Sequence, residues 1–205
     1  MKHFFSIALI VLALNFSSAQ EVYLNVGRNF TTYDYKNSQG ASNPNIESSN
    51  GASYELGYIF SNSDSRVKLA GGVTLDQLNA TGGDLVSNYS WDTNYLGFQG
   101  VAKYTIFEPY RSPIAVNVNA GLNFNHIISG QQKINGQTYQ LAQNDEFKGL
   151  YIKPLIGFDA QYFLLDDIAI GVGYHFSKNF GVSSGDQKLN FTNSQLQFGI
   201  LMSLN

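Results

Sequence analysis

The segment Ile114 to Phe124, IAVNVNAGLNF, alternates strictly between apolar Ile114, Val116, Val118, Ala120, Leu122 and Phe124 and polar or glycine Asn117, Asn119, Gly121 and Asn123. A period of two is the signature of a β-strand whose two faces meet different surroundings. Six successive apolar positions on one face exceed what an average soluble strand offers. They match the roughly 9–11 residues that a tilted strand needs to cross a bilayer.

The same alternation recurs at seven further places. Val22 to Thr32 sets Val22, Leu24, Val26 and Phe30 on one face, interrupted by Arg28. Ser53 to Phe60 sets Tyr54, Leu56, Tyr58 and Phe60 against Glu55 and Gly57, and Arg66 to Gln77 sets Val67, Leu69, Val73 and Leu75 against Lys68, Thr74 and Asp76. Tyr95 to Phe107 sends Leu96, Phe98, Ala102, Tyr104 and Ile106 outward and Gln99 and Lys103 inward. Tyr151 to Phe163 alternates Ile152, Pro154, Ile156, Phe158, Ala160 and Tyr162 with Lys153, Leu155, Asp159 and Gln161. Ile168 to Phe176 sets Ile170, Val172, Tyr174 and Phe176 against glycines and His175. Gln195 to Leu204 sets Leu196, Phe198, Ile200 and Met202 against Gln197, Gly199 and Ser203.

Short connections at Ser61 to Ser65, Glu108 to Pro113 and Leu164 to Asp167 alternate with long polar ones near Lys36 to Gly51, Ala80 to Asp92, Ser129 to Lys148 and Lys178 to Asn190. Transmembrane barrels have short turns on the periplasmic side and longer loops outside. The expectation is an all-β chain, an eight-stranded antiparallel up-and-down transmembrane β-barrel. Lipid is its first partner, met by outward residues such as Leu96, Phe98, Val116, Val118, Leu122, Ile156, Phe158, Ile170, Val172, Phe198 and Ile200.

The N-terminus supports that destination. Lys2 and His3 precede an apolar stretch from Phe4 to Phe16 and the small residues Ser17-Ser18-Ala19, the layout of a signal peptide cleaved after Ala19. The expected domains are a signal peptide over 1–19 and one barrel over 20–205. The stretch is too short for a spanning helix, which needs ~20 apolar residues. Cysteine is absent, so no disulfide framework or thiolate metal site forms, and no cofactor is implied. A net charge of −3 gives no basic footprint for nucleic acid.

With these features in hand, the chain resembles the small outer-membrane β-barrel proteins of the OmpA transmembrane domain and OmpX type over nearly its whole mature length. Its most recognisable residues are the terminal strand QLQFGILMSLN, Gln195 to Asn205, similar to the signal by which such proteins are handed to the barrel-assembly machinery. Many of those proteins close on an aromatic residue, whereas this one closes on Leu204-Asn205. The resemblance implies a partner in that machinery, both termini on the periplasmic side of an outer membrane, and a monomer.

Several residue groups are candidates for function. The inward face brings together Glu55, Asp76 and Asp159 with Lys68, Lys103 and Lys153, three acids and three bases. In an eight-stranded barrel the lumen is only wide enough for side chains to fill it, so such charges are expected to pair and close it. A narrow small-solute or ion channel is the alternative. Three histidines form no metal set: His3 belongs to the signal peptide, His175 faces the lumen, and His126 lies at the outer end of its strand. His126 with Ser129 raises a lipid-modifying enzyme, but residues three apart on a regular strand face opposite ways. The expectation is therefore a non-enzymatic barrel. It is read as structural or as recognising an extracellular partner through its four long loops, with Tyr139, Asp145 and Glu146 the contact candidates because exposed loops on a rigid scaffold carry most binding.

Overall fold

The computed structural model describes residues 20–36, 46–60, 65–83, 88–107, 113–141, 149–181 and 188–204. Ten strands follow in chain order: β1 (Gln20–Lys36), β2 (Ile46–Phe60), β3 (Val67–Gln77), β4 (Ala80–Gly83), β5 (Asn88–Phe107), β6 (Ile114–Ile134), β7 (Gln137–Gln140), β8 (Leu150–Leu165), β9 (Ile168–Gly181) and β10 (Lys188–Ser203). Eight of them close a ring of antiparallel neighbours, β1-β2-β3-β5-β6-β8-β9-β10 and back to β1. Closure leaves no edge, so every wall strand is hydrogen-bonded on both sides.

The alternation read from the sequence sets the two faces of the wall. Val118, Leu122, Phe98, Leu96, Ile156, Phe158, Ile170, Val172, Phe198 and Ile200 lie exposed on the outer face, with Val116 half-exposed beside them. Between them, Asn117, Asn119 and Asn123 are buried inside the ring. Apolar outside and polar inside is the reverse of a water-soluble protein, and it forms a continuous greasy belt around the barrel.

The short turns are as short as expected where described: only Asp166 and Asp167 separate β8 from β9. Residues 61–64 and 108–112 of the other two turns, and the signal peptide over 1–19, fall outside the described residues.

The four long polar segments differ from expectation. Strand β2 begins at Ile46, within the segment read as loop from Lys36 to Gly51. Strands β4 and β5 occupy most of Ala80 to Asp92, β6 runs on to Ile134 and is followed by β7, and β9 and β10 reach Gly181 and Lys188. Much of what was read as loop is therefore wall. Alternation disappears there because both faces of an extension standing clear of the belt can be polar, while the ladder continues regardless. β4 continues the sheet beyond β3 by pairing with both β2 and β5. β7 folds back on β6 through Asn135-Gly136, both with positive φ (49° and 84°). This is the two-residue hairpin geometry that Asn-Gly favours.

Candidate functional site

The interior is layered, and each layer follows from which inward residues the register brings level. At the turn-side end, Tyr23, Ile59, Ala70, Val101, Leu155, Ala169 and Leu201 form a buried apolar cluster flanked by Phe163. The Tyr23 ring lies over Gly57, where a Cβ would collide with it, and its hydroxyl donates to Glu55 Oε1 at 2.5 Å.

The middle layer is polar and cross-linked. Lys103 Nζ sits 3.0 Å from Asp159 Oδ1, and Asn117 and Asn119 donate to the same carboxylate at 2.7 and 2.8 Å. Lys153 Nζ sits 2.7 Å from Asp76 Oδ2, while Ser53 and Asn29 donate to Asp76 Oδ1 at 2.7 and 3.2 Å. Glu55 is held by neutral donors, Tyr23, Gln99 at 2.8 Å and Asn25 at 3.2 Å. Such saturation is what a buried carboxylate needs if it is not to cost several kcal/mol. A cavity of about 30 Å³ remains between Lys103, Asp159, Gln197 and Tyr23.

The six charges predicted inside do face inward, but they do not pair three to three among themselves. Lys68 bonds Glu21 Oε1 at 3.0 Å near the turn-side rim, a partner that the sequence reading did not include. Glu55 is left with no lysine partner among the described residues. Glu21 was missed because it precedes the first alternating residue, Val22, although its own place in the alternation puts it inward.

Above the polar layer, toward the long connections, a second apolar cluster closes the ring. Tyr33, Leu78, Ala80, Tyr95, Ile127, Leu141, Tyr151 and Phe191 are all buried, with Ile46 and Trp91 packed against them. Phe191 stands 5.3 Å from Tyr33 and 5.7 Å from both Tyr95 and Tyr151, ring centre to ring centre. Tyr33 also donates to the Leu78 carbonyl at 2.7 Å. All four rings point inward, on the same face of the alternation as the polar lumen residues. Leu141, next to β7, is wholly buried in the same cluster, and its amide bonds the Gly130 carbonyl at 2.9 Å.

The predicted contact residue Tyr139 lies on β7, half-exposed, with its hydroxyl donating to Gln137 at 2.7 Å. Asp145 and Glu146 fall outside the described residues. His126 and Ser129 stand differently from expectation. The β5–β6 register shifts where Asn94 and Tyr95 face Ser129 and Ile127, making Ile128 an extra residue. That bulge flips the parity, so Ser129 shares the outer face with His126. The two are engaged separately: His126 Nδ1 lies 3.0 Å from the Gly149 carbonyl, and Asn94 donates to Ser129 Oγ at 3.0 Å. No group of three or more His, Cys, Asp and Glu residues suited to a metal occurs among the described residues.

No family model matches the sequence, and no curated protein matches it. Among solved structures the chain is similar to the outer membrane protein OprG from Pseudomonas aeruginosa, at 10% identity over 92% of this chain and 97% of that one, with a TM-score of 0.53. It is also similar to Neisserial surface protein A, at 15% identity over 88% and 96% of the two chains, with a TM-score of 0.48. At such identities likeness speaks for the fold. What this chain shares with OprG is the fold of a small outer-membrane β-barrel protein.

Proposed function

We propose that this chain is a non-enzymatic integral outer-membrane protein whose barrel acts as a rigid stand for recognition at the cell surface. The observation that carries the reading is the continuation of the wall past its greasy belt on the long-connection side. There β4, the loop-side halves of β5 and β6, and the β6–β7 hairpin rise from a buried aromatic floor. A protein whose only task was to sit in lipid would have little use for a wall that continues past the belt above a second hydrophobic core. A floor of packed rings fixes the extensions as a rigid surface, which lowers the ordering cost of binding.

In this reading residues 1–19 are a leader removed on export, both termini face the periplasm, the barrel is a monomer, and Gln195 to Asn205 is offered to the assembly machinery. The extracellular partner meets the surface around Tyr139 and the β6–β7 hairpin. A conducting role finds little support, since an ion would have to pass two apolar clusters and a cross-linked polar layer between them.

The test is maleimide labelling of Thr138→Cys in intact cells, combined with heat-modifiable gel migration of the membrane fraction. The reading expects labelling without permeabilisation and a compact band that shifts on boiling. Recovery in the aqueous fraction, or labelling only after lysis, would refute it. Trimming the hairpin should then abolish surface binding while the band still shifts.

A further inference from the structure

The wall beyond the belt is hollowed on its outer face. Pairing sets Thr81 of β4 beside Ser90 of β5 and Ser90 beside Lys133 of β6, and it sets Asp92 beside Gln131 one step nearer the belt. These five residues line a cavity of about 240 Å³. Ser90 is half-buried and the other four are exposed. The two short hydroxyl residues stand among longer neighbours, which leaves a recess between the side chains.

The recess is braced. On its edge, Asn79 Nδ2 donates to the Asn50 carbonyl at 3.1 Å and Asn79 Oδ1 accepts from the Thr93 amide at 3.2 Å, fixing the chain between β3 and β4. At the tips of β5 and β6, Asn135 N donates to Asn88 O at 3.1 Å and Asn88 N donates to Asn135 Oδ1 at 2.9 Å. Behind it, Trp91 packs against Tyr33 of the aromatic floor, ring centres 5.9 Å apart. A site held in this way loses little freedom when a ligand enters.

Among the described residues none of the five side chains is taken up by a hydrogen bond or an ion pair. Asp92 and Lys133 carry opposite charges, so the recess as a whole is neutral. The carboxylate accepts hydrogen bonds, the ammonium donates them, and the amide and hydroxyls do both. An anion would be set against Asp92 and a cation against Lys133. An apolar ligand would strip water from five polar groups and return nothing. Adjacent hydroxyls on a neutral ring, each a donor and an acceptor, answer all five. The volume is below the roughly 300–1,000 Å³ that encloses a whole drug-sized ligand, and it suits one ring of a longer chain.

We propose that the recess binds one uncharged sugar ring of a glycan at the cell surface. Asp92 and Gln131 take neighbouring hydroxyls on one side of the ring, Lys133 donates to a hydroxyl oxygen on the other, and Thr81 and Ser90 meet it from below. The proposal gives a chemical class to the partner in the recognition reading above and rests on that reading. Gln131 and Lys133 pair with Gln140 and Thr138 of β7, so a glycan leaving the recess runs along the hairpin.

The experiment uses the full-length folded barrel in phosphatidylcholine nanodiscs and saturation-transfer difference NMR with the methyl glycosides of glucose, galactose, mannose and N-acetylglucosamine. At least one should receive saturation on its ring protons. Loss of the charged acceptor in Asp92→Ala should weaken its binding about tenfold in a titration. Ser90→Phe, which fills the recess, should abolish the transfer, and both variants should keep the heat-modifiable band. Transfer to none of the four glycosides, or equal transfer in wild type, Asp92→Ala and Ser90→Phe, would overturn the sugar site. If Thr138→Cys is still labelled on intact cells, the recognition reading survives that failure. Labelling only after lysis would overturn both.

Discussion

Lys153 on β8 and Asp76 on β3 meet across the lumen, Nζ to Oδ2 at 2.7 Å, with both side chains almost inaccessible to solvent. Strands far apart in sequence are thereby tied through the middle of the barrel as well as around its wall. Replacing one member leaves the other charge buried without its partner, which typically costs ~3–5 kcal/mol. Asp76→Asn and Lys153→Met should each lower the urea midpoint in detergent micelles by an amount corresponding to that range. The paired change Asp76→Leu with Lys153→Met should cost far less than the sum, and additive losses would show that the two do not act as a unit.

Leu141 and Tyr139 lie two residues apart in a segment that composition alone reads as surface loop. The structure puts one in the core and the other in the open. Leu141→Ala should destabilise by roughly 2–5 kcal/mol through the cavity it leaves. Tyr139→Ala should stay within about 0.5 kcal/mol of wild type. Equal effects in a denaturation series would contradict the aromatic floor.

Gly57 faces inward beneath the Tyr23 ring, and a methyl group there would strike the ring itself. Gly57→Ala should cost about 1–3 kcal/mol, the usual penalty for overpacking. The companion change Tyr23→Ala should relieve the clash, so that Gly57→Ala costs less in that background. A double-mutant cycle that finds no coupling would remove the proposed close packing.

Val118 sits on the outer face of β6, 45% exposed, with Tyr104 and Phe158 as its outward cross-strand neighbours. Val118→Arg should destabilise the barrel by ~2–4 kcal/mol if that position lies near the middle of a bilayer. Folding titrations in lipid vesicles would measure the loss, and a neutral outcome would place the residue away from hydrocarbon.

The membrane belt was legible in the sequence because two environments imposed opposite preferences on adjacent residues. Val116, Asn117 and Val118 could hardly be read in any other way. Beyond the belt that contrast fades, so strand and loop look alike, and Ile46 to Asn50 and Gln131 to Ile134 were assigned to loops although they are paired wall. The Asn135-Gly136 pair was a usable hairpin signal within that stretch. The inward parity of Tyr33, Tyr95, Tyr151 and Phe191 follows from the alternation, but their meeting in one cluster depends on long-range closure, which no local pattern carries. The parity change at Ile128 is likewise a property of the pairing with β5, and it reversed the inference about His126 and Ser129.

The hydrogen-bonded ladder of β5 and β6 runs from Phe107 and Val116 at the turn side to Tyr89 and Ile134 at the tip, with two register shifts in its whole length. On such a ladder, adding one residue near the tip turns every side chain beyond it to the opposite face. Inward residues past the insertion, such as Trp91 packed on the floor, would then look outward, and outward ones such as Asp92 would look in. Descendants of this chain can therefore alter the long-connection part of the wall in pairs of residues, or by single insertions absorbed at a bulge such as Ile128. Away from such bulges, variation in length at the long-connection end should come in even steps.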